Sequence, residues 1–427
     1  MSTFNETTKA EQANNYQLPP IELLNDYVPE DSAVTEEELT TKKDAIVKVL
    51  NDNNMLFGKI IATVGPTVTL FEIAPEKVDI LKLYKLDKDF AANLNVEGVR
   101  IVAPIWERGT IGIEVPNAQP QKVSLRSLIA SEQFQKSDAK LPIAIGQTVD
   151  NATYVVDFTK KNRLLIVGDD DKEKSTALNT ILVSLLYNSI SSQVKFVMID
   201  AQDKNLMPYQ SLPECFYAKR SDCDDRIITD NKKINNTLES LYIECLQRFT
   251  MIEKAGCHDI DSYNNKYANG QLNSAEGFWP IPYIVVVINN ADELIKNDIT
   301  KKIKHNIDKL ANAPVYGVLY MITTKYTRLS SFLCNVMSVR FHSREKIISK
   351  QGDLEDVCRL NGNGDALVWL LKIEEMNESR VQCAEIDNKE IERIVNFVAN
   401  QSCNESAYIL PNVNLTTNSI NESNVLL

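Results

Sequence analysis

Residues 164–175 read Leu164-Leu165-Ile166-Val167-Gly168-Asp169-Asp170-Asp171-Lys172-Glu173-Lys174-Ser175, an apolar run, a turn, and the start of a helical pattern that continues to Tyr187. A strand followed by Gly-x-x-x-x-Gly-Lys-Ser/Thr and a helix is the arrangement in which backbone amides and a lysine cradle nucleotide phosphates. Gly168, Lys174 and Ser175 stand in step with that pattern, and Glu173 takes the place of its second glycine. In a working loop that glycine lets the backbone approach phosphate with its N–H groups turned inward. Glutamate adds bulk, restricts the backbone and sets a negative charge beside the anion, and Asp169, Asp170 and Asp171 add three more. At ~4 Å each like-charge contact costs about 1 kcal/mol in water and about 4 kcal/mol at an effective dielectric of about 20. Only Lys172 and Lys174 oppose them. By the motif alone, an impaired phosphate loop and an acidic strand-to-helix turn are equally good readings.

Outward from this stretch, residues 151–402 alternate strand-like and helical runs. Leu164–Val167, Val194–Ile199, Tyr283–Ile288, Val318–Ile322 and Val336–Phe341 read as strands, and Lys174–Tyr187, Lys232–Ala255 and Asp298–Ala311 as helices. That alternation predicts a doubly wound α/β domain with a parallel sheet, in which ligands sit beyond the carboxyl ends of the strands. Residues 18–150 predict a small mixed α/β domain. After the extended Leu18-Pro19-Pro20, Thr35 and Glu38 form a capping-box pattern ahead of a helix carrying Ile46, Val47 and Leu50. Strands follow at Lys59–Val64, Thr67–Ile73, Val99–Pro104 and Thr110–Val115, with a helix over Val78–Leu94 spaced by Ile80, Leu83, Leu86, Phe90 and Leu94. Residues 1–17 and the Asn/Ser/Thr-rich C-terminal extension, 403–427, read as tails whose composition does not offset the entropy of ordering.

Composition narrows the function classes. A chain of 427 residues with a formal charge of −12 is not a basic nucleic-acid wrapper as a whole. The eight cysteines include no C-x-x-C pair and there are three histidines, which argues against a structural zinc site, a dithiol centre or a histidine triad. With no signal-peptide pattern at the polar N-terminus and no apolar run near the ~20 residues that span a bilayer, the expectation is a reduced, soluble, cytoplasmic protein. Aromatic residues, 7% of the chain, are too scattered for a base-stacking platform. Lys160-Lys161 and Lys301-Lys302-Ile303-Lys304 read as solvated faces, whereas Lys219-Arg220 and Lys232-Lys233 are candidates to line a DNA channel. Cys257-His258-Asp259 reads as loop rather than nucleophile, because adjacent side chains do not point at one another, and the connection from Cys257 to Pro282 reads as a mobile surface loop.

The flanking sequence carries a more specific signal. The runs Leu18-Pro19-Pro20-Ile21-Glu22-Leu23-Leu24, Gly65–Ile73, Val99–Ile105, Gly112-Ile113-Glu114-Val115-Pro116-Asn117 and Leu141–Gly146 resemble the first motor segment of the FtsK/SpoIIIE DNA translocases. Phe196-Val197-Met198-Ile199-Asp200, Arg248-Phe249, Ala255-Gly256, Ser262-Tyr263-Asn264, Pro282–Val286 and Gly362-Asn363-Gly364-Asp365-Ala366-Leu367 resemble the ATPase segment. The resemblance runs from Leu18 to about Leu410. It implies a small α/β domain followed by a RecA-like P-loop NTPase-type domain with a parallel sheet. It also implies ATP and Mg2+ as cofactors, with Ser175 as the Mg2+ ligand. The implied partner is double-stranded DNA inside a homo-oligomeric, hexameric ring serving chromosome segregation and cell division. No membrane segment or winged-helix domain is recognised in this sequence, so sequence-specific orientation on DNA is not expected of it.

The departures fall on the catalytic positions. Where the family has Asp-Glu at the end of the Walker B strand, this chain has Asn289-Asn290, and the Thr-Gln-Arg-Pro sensor segment reads Thr324-Lys325-Tyr326-Thr327. An arginine expected shortly before Gly317 is replaced within Pro314-Val315-Tyr316, and a lysine expected after Asp200 is Gln202. Loss of a positioned base alone costs about 10²–10⁴-fold in rate, and weaker handling of Mg2+ adds to that. The sequence therefore predicts a pseudo-ATPase with hydrolysis weak or absent. It would act as a DNA- or motor-binding scaffold or regulatory subunit, in a ring or in a hetero-assembly with an active FtsK-like motor. Retained Lys174 and Ser175 keep an active, divergent ATP-driven translocase as the alternative. A structural protein without nucleotide or DNA is a third reading, mildly favoured by the acidic charge.

Overall fold

The computed structural model describes residues 16–26, 34–105, 108–160, 163–168, 170–200, 205–294, 306, 315–325, 337–341, 365–371, 376–401, 403 and 405–413. Asp169, Gln202, Tyr326, Thr327, Pro314, Lys161, the lysines at 301, 302 and 304, the turn at 362–364, the expected helix over 298–311 apart from Asn306, and most of both tails lie outside the described residues.

The small domain is a four-stranded antiparallel sheet in the order β1 (Leu56–Val64), β2 (Val68–Lys77), β4 (Thr110–Pro116), β3 (Arg100–Ile105). Helix α1 (Glu36–Asp52) starts where expected, with the Glu38 N–H donating to Thr35 Oγ1 at 3.1 Å, while the Glu38 carboxylate turns to Lys42 at 2.6 Å. The helix expected over 78–94 is broken into Ile80–Leu83, a tighter 3-10 turn at Tyr84–Leu86, and α2 (Asp87–Leu94). The tighter turn brings Leu83, Leu86 and Phe90 onto one face, where they bury against Phe71, Ile73 and Ile113.

The large domain is built on a ten-stranded sheet. Strands β10 (Ile227–Ile228), β8 (Val194–Asp200), β11 (Tyr283–Asn289), β12 (Val318–Thr324), β7 (Arg163–Val167) and β13 (Met337–Phe341) run parallel in that order. Beyond β13 the sheet turns antiparallel through β14 (Asp365–Leu371), β15 (Met376–Cys383), β5 (Pro142–Thr148) and β6 (Thr153–Asp157). Helices α4 (Asp171–Leu186) and α5 (Asn231–Lys254) cover it, and β8, β11 and β12 are buried along their whole length. That is why they read as unbroken apolar runs.

Four expectations change. The domain junction lies before residue 142 rather than at 150, since β5 and β6 are strands of the large sheet and α3 (Leu125–Ala130) packs on β5. Gly146 is what lets β5 sit so close to β15, because any side chain there would run into the Gln382 carbonyl. The C-terminal extension is not all tail: β16 (Tyr408–Leu410) pairs in parallel with β9 (Ala218–Arg220), and the Tyr408 hydroxyl donates to Glu244 at 2.6 Å. The chain is not fully reduced, because Cys215 and Cys403 form a disulfide across 188 residues of sequence, a pairing that no local spacing announces. The connection after Cys257 holds helix α6 (Ile260–Ala268), begun by an Asp259–Ser262 capping box and anchored by buried Ile260 and Tyr263. The two domains meet at a buried charge cluster in which Glu114 lies 3.4 Å from Arg100 and 2.7 Å from Arg380.

Candidate functional site

The parallel strands end together. Asn289 at the end of β11 is level with Asp200 at the end of β8, and Thr324 at the end of β12 is level with Val167 at the end of β7. The Gly168 N–H donates to the Thr324 carbonyl at 3.1 Å, which ties the loop after β7 to the tip of β12. The sequence-predicted loop, strand-tip and sensor residues are thus brought to one place.

The loop itself is short. Helix α4 begins at Asp171, three residues before the Lys174 start read from the sequence, because Asp170 caps it. Its Oδ1 accepts from the N–H groups of Lys172 at 2.7 Å and Glu173 at 3.3 Å. Lys172, Glu173 and Lys174 therefore lie in the first helical turn rather than in an open loop. Lys174 is 1% exposed, and its ammonium lies 2.9 Å from Asp171 Oδ1, with Lys325 Nζ 3.8 Å from the same oxygen. Ser175 follows, half-buried.

The strand tips form a separate polar network. Asn289 Nδ2 donates to Asp200 Oδ1 at 3.2 Å, and its Oδ1 accepts from the Thr323 hydroxyl at 2.7 Å. The same hydroxyl accepts from the Asn290 N–H at 2.8 Å. Asn290 holds a left-handed backbone, φ 53°, a region asparagine tolerates better than most residues. Its side-chain nitrogen is buried without a hydrogen-bond partner among the described residues. Asp200 Oδ2 accepts from the N–H groups of Asn205 and Leu206 at 3.0 and 3.2 Å. Asp292 accepts from the Thr324 hydroxyl at 2.7 Å and from the Lys325 N–H at 2.6 Å. Thr323 and Asp292 are the residues that sequence reasoning missed. A polar pair closing the otherwise apolar Val318–Ile322 run was the available signal for Thr323, while Asp292 lies just past the family's strand motif.

Chemically, positions 289 and 290 offer two neutral amides where a metal-linked carboxylate and a base are expected. An aspartate at 289 would face Asp200 at the same short spacing, so asparagine suits the strand tip it occupies. Among the described residues no cluster of three or more His, Cys, Asp or Glu is placed to hold a metal ion. Of the basic candidates for a DNA channel, Lys219 pairs with Glu214 at 2.8 Å, Lys233 with Asp225 at 2.7 Å, and Arg220 with Asp222, while Lys232 is exposed.

Comparison with known proteins fits this geometry. Residues 18–117 match the FtsK alpha domain and residues 124–329 the FtsK/SpoIIIE family. The chain belongs to the FtsK/SpoIIIE family. The gap between the two matched segments coincides with the structural junction that precedes β5. A protein named DNA translocase FtsK from Chlorobaculum tepidum is 31% identical over 411 residues, covering 93% of this chain and 49% of the relative. DNA translocase SftA from Bacillus subtilis is 29% identical over 413 residues, covering 93% of this chain and 41% of the relative. The chain thus spans about half the length of the curated relatives it matches. Among solved structures, the pCW3 conjugation coupling protein TcpA with ATPγS aligns at a TM-score of 0.50 and 14% identity, over 85% of this chain and 99% of that one. The cytoplasmic domain of the Thermomonospora curvata type VII secretion ATPase EccC aligns at 0.50 and 14%, over 68% of this chain and 36% of that one. These two likenesses support the P-loop ATPase fold. Among the described residues no helix is long and apolar enough to cross a membrane.

Proposed function

We propose that this chain is a non-hydrolysing homologue of the FtsK/SpoIIIE motor, acting in the cytoplasm as a scaffold or regulatory subunit. It would engage double-stranded DNA or a catalytically intact motor, in a ring of its own copies or in a mixed assembly. The observation that carries the reading is the tip of β11. Asn289 and Asn290 are neutral, and the Asn289 amide is held between Asp200 and Thr323. Neither asparagine can act as a base, and neither supplies charge to a metal. Loss of a positioned base removes about 10²–10⁴-fold of rate, and phosphoryl transfer depends on metal and charge placement for most of the rest. As arranged, the residues that would hold Mg2+ and the phosphates of ATP do not fit them, because the first amides of α4 are bonded to Asp170 and the charge of Lys174 is already answered by Asp171. No catalytic step is therefore routed through that nucleotide. The DNA partner rests on the relatives, which are named DNA translocases.

One arrangement favours a second reading, an active divergent translocase. Asp200 and Asp292 place carboxylates beside the strand tips, and Lys174 and Ser175 are retained.

Phosphate release from ATP and Mg2+ with and without duplex DNA separates the two. The pseudo-ATPase reading expects no DNA-stimulated release, and stimulated turnover would establish the second reading instead. Duplex binding that weakens steeply with salt supports a DNA role. Salt-independent absence of binding leaves the motor partner as the target.

A further inference from the structure

We propose that Asp170 and Asp171 are a built-in substitute for phosphate: Asp170 takes the amide donors and Asp171 supplies the counter-charge of Lys174 that an external anion would supply, and so the site is kept closed to it. The inference deepens the proposed function and rests on it in treating the site as non-catalytic, but it concerns binding alone.

The start of a helix beside a buried lysine is a place where negative charge is stabilised, through free N–H groups and the helix dipole. Here the amides are engaged, and the lysine's charge is answered, from within. Asp170 Oδ1 receives the N–H groups of Lys172 and Glu173, at 2.7 and 3.3 Å. Asp171 Oδ1 lies 2.9 Å from the ammonium of Lys174, which is 1% exposed, and 3.8 Å from that of Lys325. An ammonium buried to that degree is costly without a counter-charge, so Asp171 answers a need that Lys174 creates. The aspartates also set the shape of the segment. With Asp170 as cap, the residues that would encircle an anion in an open loop are wound into the first turn of α4. The Lys174 ammonium has the charge of Asp171 beside it but no hydrogen-bond partner among the described residues, so a buried donor at the site is ready for an anion's oxygen once Asp171 is removed. A lysine and two amides around an internal pair of carboxylates make an anion site filled by the chain itself.

Removing the carboxylates therefore creates a binding site rather than only a defect. The test is thermal unfolding of the full chain titrated with inorganic pyrophosphate, on the wild type and on Asp170→Gly/Asp171→Gly. The wild type should not respond up to millimolar pyrophosphate. The double variant should melt lower without ligand and recover saturably with it, because a ligand that binds only the folded state stabilises it by mass action. Its affinity should exceed that of the wild type by at least about tenfold, or about 1.4 kcal/mol, and adding Lys174→Met should abolish the gain. No response in the double variant, a response that survives Lys174→Met, or equally tight binding by the wild type overturns the proposal. Should the double variant fail to fold, Asp171→Asn keeps the Asp170 cap and the side-chain shape while removing the counter-charge of Lys174. It must show the same gain in smaller degree, and its absence overturns the proposal equally. A wild type that binds pyrophosphate tightly yet shows no DNA-stimulated phosphate release from ATP would overturn this proposal and leave the proposed function standing, so the two failures are distinguishable.

Discussion

The body of β11 and its tip belong to one strand and obey different constraints. Ile284, Val285, Val286, Val287 and Ile288 are fully buried between β8 and β12, with helices over both faces of the sheet. Any polar residue there would lose water without gaining a partner. At Asn289 and Asn290 burial is as deep, but each position is set by a few hydrogen bonds, to Asp200 and to Thr323. An amide in place of a carboxylate leaves the strand intact and changes what the site can do. The fold of a motor can thus persist while its chemistry is replaced two residues away, because packing constrains the body and local polar partners constrain the tip.

The sharpest way to break this comparison is to rebuild the tip. In a background carrying Asp170→Gly, Asp171→Gly and Glu173→Gly, adding Asn289→Asp and Asn290→Glu should raise phosphate release from ATP with Mg2+ and duplex DNA. The expected rise over the same background with asparagines is about 10²–10⁴-fold. An unchanged rate would mean that the tip does not set the chemistry. On the body side, Ile288→Ala should cost about 2–5 kcal/mol of stability in urea unfolding, the cost of a cavity in a packed core. A near-neutral result would show that the body is no more constrained than the tip. The same contrast extends to the C-terminal strand, where a disulfide staples a segment already held by the burial of Leu410. Cys215→Ser should lower stability by about 2–4 kcal/mol under non-reducing conditions, and peptide mapping without reductant should recover the Cys215–Cys403 link. The smallest effect belongs to Asn289→Asp alone. Two carboxylates would then face each other across the spacing now bridged at 3.2 Å, costing about 1–4 kcal/mol at neutral pH. Repulsion raises the carboxyl pKa of the folded state above its unfolded value, so this loss should be greatest above the raised pKa. It should fade as pH falls through it toward the ordinary aspartate range, as a pH series of melting temperatures would show.

Much of the fold was legible because it rests on burial. The interior strands fall within two residues of their apolar runs, Val194–Ile199 against Val194–Asp200 and Val318–Ile322 against Val318–Thr324. Long-range pairings were not legible. The sequence does not say that β5 adds to β15, that β16 adds to β9, or that Cys215 meets Cys403, because each depends on partners far along the chain. Nor does an Asn/Gly/Ser-rich stretch advertise helix α6, whose Asp259–Ser262 cap is a pattern of short polar residues that also suits loops. At the site, the substituted positions were legible from the family resemblance, and their consequences were not. That Asp170 would cap α4 and Asp171 would neutralise Lys174 is a matter of geometry over a few ångströms. The acidic loop pointed to repulsion of an anion, whereas the structure shows Asp170 bonded to the amides an anion would use and Asp171 set beside Lys174.

The most direct test of the account is a calorimetric titration of the full chain with ATP, in the presence and absence of Mg2+. The site described above, with its backbone donors taken by Asp170, the charge of Lys174 answered by Asp171 and amides at 289 and 290, predicts no saturable heat up to millimolar ATP and no effect of Mg2+. Saturable binding in the micromolar range that tightens with Mg2+ would contradict it.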